Sequence, residues 1–331
     1  MGEREVLLEV KGLKKYFPIK GGIFGKKTVN HVRAVEDVSF NVYKGETLGI
    51  VGESGCGKST TGRTILRLID PTEGSVTFEG VDLASLSASD MRKKRKDLQI
   101  VFQDPFASLN PRFKVGKAIE EPLKIFGTYS DSQRKEKVKD LMKQVGLKPE
   151  HIDRYPHQFS GGQRQRIGMA RALSVQPKLI ILDEPVSALD VSVQSQVLNL
   201  MQQLQEEYSL TYLFISHDLS VVKHLCDRVA VMYLGHMVEL ADKRHLYNEP
   251  LHPYTKALLS AVPTPNLKPK RERIILQGSV PSPSNPPSGC VFHTRCHECM
   301  DICKTEKPEM REVREGRYVA CHLYNEEERT V

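Results

Sequence analysis

The sequence Gly52-Glu53-Ser54-Gly55-Cys56-Gly57-Lys58-Ser59 decides the fold, because it fits the pattern G-x-x-x-x-G-K-[ST]. A short apolar run before it, residues 47–51, predicts a buried strand, and residues 58–68 after it predict a helix. Strand, glycine-rich loop and helix in this order form the setting in which such a loop binds the phosphates of a nucleoside triphosphate. The sequence therefore predicts an α/β protein with a phosphate-binding loop.

The chemistry of this loop follows from its residue types. Glycines let successive backbone N–H groups point toward the phosphates, and the start of the next helix adds its positive dipole end. We expect Lys58 to reach the β and γ phosphates and the Ser59 hydroxyl to bind Mg²⁺. A chance glycine-rich turn is the alternative, and the flanking strand and helix disfavour it. The predicted nucleotide contacts are Gly52, Glu53, Ser54, Gly55, Cys56, Gly57, Lys58, Ser59 and Thr60.

Two adjacent carboxylates end a second apolar run, Leu179-Ile180-Ile181-Leu182-Asp183-Glu184. A continuous apolar strand is typical of a parallel sheet covered on both faces, and such sheets bind ligands at the carboxyl ends of their strands. We expect Asp183 to hold Mg²⁺, through water, and Glu184 to polarise the attacking water as a general base. The alternative is a helix cap with an acidic first turn, which Pro185 makes reasonable for the pair taken alone.

Composition limits the class of protein. The 331 residues are 39% hydrophobic and 27% charged, with a net charge of +7. No apolar run approaches the roughly 20 residues of a membrane span, and residues 1–10 do not resemble a secretory signal, so we expect a cytosolic chain. The basic runs at 92–96 and 268–273 are solvated faces or a functional patch. No aromatic residues interleave with them, which argues against a nucleic-acid partner.

The chain changes character twice. Residues 104–165 are polar, with helical periodicity around 132–145, and predict an inserted helical subdomain. From about residue 262 prolines deny regular structure and lead into a tail with five cysteines. In a reducing cytosol such a cluster indicates metal more than disulfides, and four thiolates suit either Fe–S or Zn²⁺. The cysteines are Cys290, Cys296, Cys299, Cys303 and Cys321.

Four further short motifs follow the phosphate loop along the chain. They are Val101-Phe102-Gln103-Asp104, Phe159-Ser160-Gly161-Gly162-Gln163, Ser187-Ala188-Leu189-Asp190 and Ser216-His217-Asp218. With the phosphate loop and the paired carboxylates, they make residues 5–250 similar to the ATPase subunits of ABC transporters, with Phe159 in place of the commoner leucine. That resemblance implies a P-loop NTPase parallel sheet with an antiparallel β subdomain, the inserted helical subdomain, a nucleotide-binding domain over 1–250 and a small Cys-rich extension over 251–331.

The resemblance also assigns roles. Glu184 and His217 are the expected catalytic residues, and Gln103 is expected to sense Mg²⁺ and the γ-phosphate. Ser59, Gln103 and Asp183 would hold Mg²⁺, and Asp190 would lie in the D-loop. Phe17 is the expected adenine-stacking residue, with its neighbour Tyr16 as the alternative. The motif residues expected to contact the nucleotide of an opposing chain are Ser160, Gly161, Gly162 and Gln163.

The tail narrows the resemblance. Residues 252–259, Pro281-Ser282-Pro283 and Gly289-Cys290 are similar to the C-terminal extension of dipeptide and oligopeptide importer ATPases, specifically the subunit type whose names end in F. The resemblance implies peptide import at the cytoplasmic face of the inner membrane. The implied partners are a second, different ATPase chain, two transmembrane permease subunits and an extracytoplasmic peptide-binding protein.

The same relatives imply a cofactor. Cys290, Cys296, Cys303 and Cys321 resemble their ligands for a [4Fe–4S] cluster, with Zn²⁺ or free thiols as alternatives and Cys299 as an extra thiol. The role of such a cluster would be structural, because the tail is too small and proline-rich to hold a core. Among alternative functions, import of nickel or another solute uses the same chemistry. The alternative from a different class of protein is a soluble ABC ATPase of translation or DNA repair. An exporter is the third alternative.

Overall fold

The structure is a computed structural model that describes residues 4–21, 27–104, 106–127, 129–262 and 273–325. The strands are β1 (Val6–Gly21), β2 (Lys27–Tyr43), β3 (Thr47–Val51), β4 (Glu73–Phe78), β5 (Val81–Asp82), β6 (Leu98–Val101), β7 (Leu179–Asp183), β8 (Thr211–Ser216), β9 (Arg228–Tyr233), β10 (His236–Asp242), β11 (Arg311–Arg314) and β12 (Arg317–Val319). The helices are α1 (Lys58–Ile65), α2 (Ala88–Lys94), α3 (Val115–Phe126), α4 (Asp131–Gln144), α5 (Gly161–Leu173), α6 (Val191–Tyr208), α7 (Leu219–Leu225), α8 (Lys243–Asn248), α9 (Pro253–Ser260) and α10 (Ile302–Thr305).

The described chain divides into two compact units. The first unit takes in residues 4–6, 42–47 and 85–215, and the second takes in 7–41, 48–84 and the described residues from 216 onward.

In the first unit, β6, β7 and β8 form parallel ladders, with Leu98 opposite Leu179 and Leu179 opposite Thr211. Every residue of β7 is buried, as expected of a strand covered on both faces. Helix α6 makes the crossover from β7 to β8 that a parallel pair requires. Helices α3, α4 and α5 pack on one another, and α5 also contacts α6.

In the second unit, β2, β1, β4 and β5 form an antiparallel sheet, in which Leu8 lies opposite Phe78. Strand β3 runs parallel to β9, and β9, β10, β12 and β11 follow as an antiparallel series. The last two strands of this series belong to the Cys-bearing tail, with Val319 opposite Glu239. Residues 311–319 of the C-terminal extension therefore add two strands next to β10.

The predicted elements and fold class are confirmed. Strand β3 covers residues 47–51, and α4 covers the periodic segment around 132–145. Helix α1 begins at Lys58 as predicted but ends at Ile65 and not at residue 68, because Arg67 adopts a left-handed conformation with φ of 49°. The antiparallel sheet expected beside the parallel strands is present. Within the described ranges, no helix has the length and apolarity that a membrane crossing requires. The domain boundary at residue 250 stays a prediction.

Candidate functional site

The phosphate loop, residues 52–57, has a conformation that only glycine adopts at two tight positions. Gly57 has φ of 106°, and a Cβ atom there would lie 2.1 Å from the Ala34 carbonyl oxygen. Gly52 has φ of 153°, and a Cβ there would lie 2.1 Å from the Met232 carbonyl oxygen. Both approaches are far below van der Waals contact, so the loop can follow this path only with glycine at both positions.

Lys58 lies folded back over the loop. Its side chain is buried, and its Nζ donates hydrogen bonds to the carbonyl oxygens of Gly52 (2.8 Å) and Glu53 (3.1 Å). The first turn of α1 carries no acidic residue, which leaves its positive dipole end uncompensated. An ammonium group inside a loop at a helix N-terminus is suited to bind a phosphate group.

Cys56 within this loop contributes packing. Burial raises the pKa of its thiol, so the side chain stays neutral at physiological pH. Its carbonyl accepts a hydrogen bond from the Gly235 N–H at 2.9 Å. Cys56 therefore anchors the loop to the turn between β9 and β10.

Asp183 is the last residue of β7 in the first unit, and Glu184 follows it directly. Asp183 is 1% exposed. Glu184 has φ of 46°, a left-handed conformation that costs a non-glycine residue about 1–2 kcal/mol. Its N–H donates to the Ile215 carbonyl (2.9 Å), and Gln103 Nε2 donates to its carboxylate (2.9 Å). The structure thus brings the predicted base and the predicted sensor glutamine into direct contact.

Ser160 begins α5 with a reciprocal pair of hydrogen bonds. The Gln163 N–H donates to the Ser160 hydroxyl (3.4 Å), and the Ser160 N–H donates to the Gln163 side chain (3.0 Å). The pair is a capping box, which fixes where the helix starts, and Ser160 itself is exposed. A Cβ at Gly162 would lie 2.2 Å from Val193 Cγ1, so glycine permits close packing of α5 against α6.

Asp190 and His217 occupy turns between elements. Asp190 caps α6 by accepting a hydrogen bond from the Val193 N–H (3.0 Å), and this bond lowers the pKa of its carboxyl. His217 follows β8 and precedes α7, in the second unit. Its neighbour Asp218 caps α7 through the Ser220 N–H (2.8 Å). Both residues therefore lie on backbone that a cap holds in place.

The first unit thus holds Gln103, residues 160–163, Asp183, Glu184 and Asp190, and the second holds Phe17, residues 52–60 and His217. Phe17 is 36% exposed, with Lys15 Nζ 5.1 Å from its ring centroid. The Tyr16 hydroxyl instead donates to the Glu36 carboxylate at 2.8 Å, and burial together with this contact raises the pKa of Tyr16 to about 12. Of the two aromatics, Phe17 is the one with an accessible ring face.

Each of the five tail cysteines interacts electrostatically with at least one other cysteine of the tail. Burial, followed by neighbouring thiols, raises the pKa of Cys290 and Cys296 to about 11 and that of Cys321 to about 12. All five are free cysteines. Within the described ranges, however, no three His, Cys, Asp or Glu side chains are close enough to hold one metal ion. Thiol groups are ligands that a soft metal prefers. In this structure, however, they are not arranged to hold a single ion such as Zn²⁺.

The extension contacts the phosphate loop directly, which the sequence patterns do not predict. Arg295 donates two hydrogen bonds to the Glu53 carboxylate, which raises the pKa of the guanidinium. The Glu53 N–H donates to the Tyr254 hydroxyl at 2.9 Å. Tyr254 lies in the quoted segment 252–259 and Arg295 lies among the cysteines, but nothing in either pattern points to residue 53.

Comparison with protein families and solved structures agrees with this geometry. Residues 35–187 match the family described as ABC transporter, and residues 238–303 match the family described as oligopeptide/dipeptide transporter, C-terminal region. The ATP-binding cassette MJ0796, solved as a dimer in a post-hydrolysis state with ADP and Pi, is similar with a TM-score of 0.64 and 29% identity over 72% of this chain and 99% of that one. Clostridium perfringens cbiO1 is similar with a TM-score of 0.63 and 26% identity, over 74% and 92%. Fold and motifs define an ATP-binding cassette.

Two curated relatives span nearly the whole chain. The oligopeptide transport ATP-binding protein AppF of Bacillus subtilis (strain 168) is 60% identical over 97% of this chain and 98% of its own length. A putative peptide import ATP-binding protein of Brucella ovis is 52% identical over 95% and 97%. The chain therefore belongs to the ATP-binding proteins of ABC transporters, and its enzymatic activity is ATP hydrolysis.

Proposed function

We propose that this chain is the ATPase subunit that drives import of dipeptides or oligopeptides across the cytoplasmic membrane. The observation that carries the proposal is the match of residues 238–303 to the C-terminal region of oligopeptide and dipeptide transporters. Relatives named for peptide transport at 52–60% identity support the same substrate class.

The proposed chemistry assigns a role to each residue of the nucleotide motifs. Lys58 and the backbone N–H groups of the phosphate loop bind the β and γ phosphates, and Phe17 stacks on adenine. Mg²⁺, held by Ser59, Asp183 and Gln103, would neutralise the charge that develops on the phosphates. Glu184 accepts the proton of the attacking water, with its carboxylate oriented by Gln103 Nε2. His217 contacts the γ-phosphate.

The proposed assembly follows from the position of the second motif. Ser160, the N-cap residue of α5, is exposed, and with the positive dipole end of the helix it suits the γ-phosphate of a nucleotide bound to another chain. We infer a head-to-tail pair with a second, different ATPase subunit, docked on two transmembrane permease subunits at the cytoplasmic face of the inner membrane. An extracytoplasmic peptide-binding protein supplies the substrate.

The test is ATP hydrolysis by the reconstituted complex, with and without peptide-loaded binding protein. Peptide should stimulate hydrolysis. Glu184→Gln should lower the stimulated rate about 10²–10⁴-fold, which is the usual contribution of a general base. The glutamine keeps an oxygen that can accept from Gln103, so ATP binding should persist. Stimulation by a nickel chelate and not by peptide would retain the ATPase mechanism and contradict the substrate.

The finer cofactor proposal concerns the tail. We propose that Cys290, Cys296, Cys303 and Cys321 hold a [4Fe–4S] cluster with a structural role, which would cross-link the extension when bound. Each thiolate of such a cluster binds a different iron, so its ligands lie further apart than those of a single ion. The support for this proposal is the resemblance of the cysteine pattern to that of the importer relatives, together with the hydrogen bond from the Cys290 N–H to the Cys303 carbonyl (2.8 Å), which holds two of the four cysteines next to each other.

Anaerobic purification followed by iron, sulfide and zinc analysis tests the cluster. We expect about four irons and four sulfides per chain, and loss of both in Cys296→Ser. Cys299→Ser is the matched control, because Cys299 is outside the proposed ligand set, and its iron content should be unchanged. A chain without iron or sulfide would contradict the proposal.

A further inference from the structure

The Cys-bearing extension makes a direct ionic contact with the phosphate loop. Arg295 Nη1 lies 2.8 Å from one carboxylate oxygen of Glu53, and Nη2 lies 3.2 Å from the other. The contact joins residues 242 positions apart within the second unit. Two parallel hydrogen bonds from a guanidinium to a carboxylate are the strong, orientation-specific form of a salt bridge. The Arg295 side chain is only 8% exposed, so solvent screens the pair weakly.

Three groups of Glu53 make hydrogen bonds: its N–H, its carbonyl and its carboxylate. Besides the carboxylate, its N–H donates to the Tyr254 hydroxyl and its carbonyl accepts from Lys58 Nζ (3.1 Å). Burial raises the pKa of Tyr254, so this hydroxyl remains a neutral partner. Residue 53 is therefore fixed by α1 on one side and by residues of the extension on the other.

Arg295 is itself fixed by the extension. It ends a short 3-10 turn, His293–Arg295, between Cys290 and Cys296. The Cys290 carbonyl accepts hydrogen bonds from the His293 N–H (3.0 Å), and the Cys290 N–H donates to the Cys303 carbonyl (2.8 Å). Beneath the turn, Phe292 packs on the rings of Tyr233 and Tyr254, with centroids 5.1 and 5.3 Å away.

We propose that Arg295 is a positioning residue for nucleotide binding, through which the C-terminal extension neutralises Glu53 and holds the phosphate loop in shape. The reason is electrostatic. A carboxylate on the loop that receives a triphosphate repels the nucleotide unless a cation compensates it, and the bidentate pair supplies that cation. The same pair turns the carboxylate toward the extension. The inference rests on ATP binding alone and is independent of the transported solute.

Equilibrium binding of a fluorescent ATP analogue to the full chain tests this role. We expect Arg295→Ala to weaken binding about tenfold, which corresponds to about 1.4 kcal/mol. Adding Glu53→Gln to Arg295→Ala should restore the affinity to within about threefold of the wild type, because the uncompensated charge is gone. A purely structural role of Arg295 would not be rescued by Glu53→Gln.

A matched control is available in the same extension. Lys307 pairs with Asp37 (3.2 Å) and thus also joins the extension to another part of the second unit, away from the phosphate loop. Lys307→Ala should leave the affinity unchanged. Wild-type affinity in Arg295→Ala, or a double variant no tighter than the single one, would overturn the proposal. If Arg295→Ala does not fold, the neutral variant Arg295→Gln replaces it, and equal affinities of Arg295→Gln and Arg295→Gln/Glu53→Gln would overturn the proposal in the same way.

Discussion

At the scale of single residues, the site depends on backbone conformations that ordinary side chains avoid. Glu184 adopts a left-handed conformation directly after β7, and the phosphate loop does so at its glycines. Such strain persists only where the surrounding structure fixes it, and it occurs preferentially at functional sites. At Glu184 the Ile215 carbonyl and the Gln103 amide hold the residue in place.

Gly57 and Gly55 allow strain and collision to be separated. Both have positive φ, 106° and 79°, but a Cβ at Gly55 would meet nothing within 4 Å, whereas one at Gly57 would lie 2.1 Å from Ala34 O. We expect Gly55→Ala to lower the free energy of unfolding by about 1–2 kcal/mol, the cost of the left-handed conformation. Gly57→Ala should lower it further and abolish nucleotide binding, because the loop must move.

Urea unfolding and nucleotide binding measure this pair. Gly55→Ala is the control for backbone strain, since the loop can keep its path there. Equal losses of stability and of nucleotide affinity in the two variants would contradict the steric explanation for Gly57.

At the scale of elements, helix α9 joins the extension to the nucleotide-binding part of its unit. Its cap is His252, whose Nδ1 accepts a hydrogen bond from the Tyr254 N–H at 3.0 Å. The His252 N–H and the Leu251 N–H both donate to the buried Glu239 carboxylate at 2.9 Å. Caps and buried carboxylates of this kind fix the direction in which a helix leaves a sheet. Here they place the Tyr254 hydroxyl at the phosphate loop.

The cap predicts a pH dependence of stability. Burial lowers the pKa of His252 from 6.5 to about 3, because the fold favours the neutral imidazole. The unfolded chain therefore binds one more proton between about pH 3 and pH 6.5. The corresponding stability is fully present above pH 6.5 and is lost as the pH falls toward 3. On the order of 2 kcal/mol should be lost between pH 7 and pH 5.

Urea unfolding of the wild type and of His252→Asn at the two pH values measures this loss. Asparagine keeps a side-chain acceptor for the cap and does not titrate. The variant should therefore lose less stability than the wild type on acidification. An equal loss in both proteins would assign the acid sensitivity to other groups.

At the scale of the whole molecule, the function we propose requires a surface that meets the membrane partner. Phe106 follows the sensor Gln103 and is 62% exposed, with the Arg164 guanidinium 3.7 Å from its ring centroid. Arg164 is buried and belongs to α5, the helix that Ser160 begins. An exposed aromatic held by a buried cation is a preformed contact between the sensor segment and the second motif.

Phe106→Asp should uncouple peptide uptake from ATP hydrolysis by the reconstituted complex while sparing ATP binding. The physical reason is that a carboxylate cannot enter an apolar contact without desolvation. Ile275→Asp is the control, because Ile275 is 77% exposed on the extension and is not part of the proposed contact. Normal uptake by Phe106→Asp would contradict a role of Phe106 in the contact with the membrane subunit.

The sequence by itself determined the class of protein and the local structure of the site. Three features could be predicted, because each depends on residues adjacent in the chain: the phosphate loop, the helix α1 after it, and the strand β7 with the two carboxylates at its end. Loop glycines, helix caps and apolar runs act over a few residues, so their patterns are legible without the fold. The peptide-transporter character of the tail was likewise legible from its motifs.

Only the tertiary structure decided which distant residues meet. The pairs Gln103–Glu184 and Glu53–Arg295 join positions 81 and 242 residues apart. The cysteines show the same limit, since their spacing indicated a metal site while the fold sets how far apart the thiols lie. Such contacts arise from how strands and turns pack, and no local pattern encodes packing between segments so far apart along the chain.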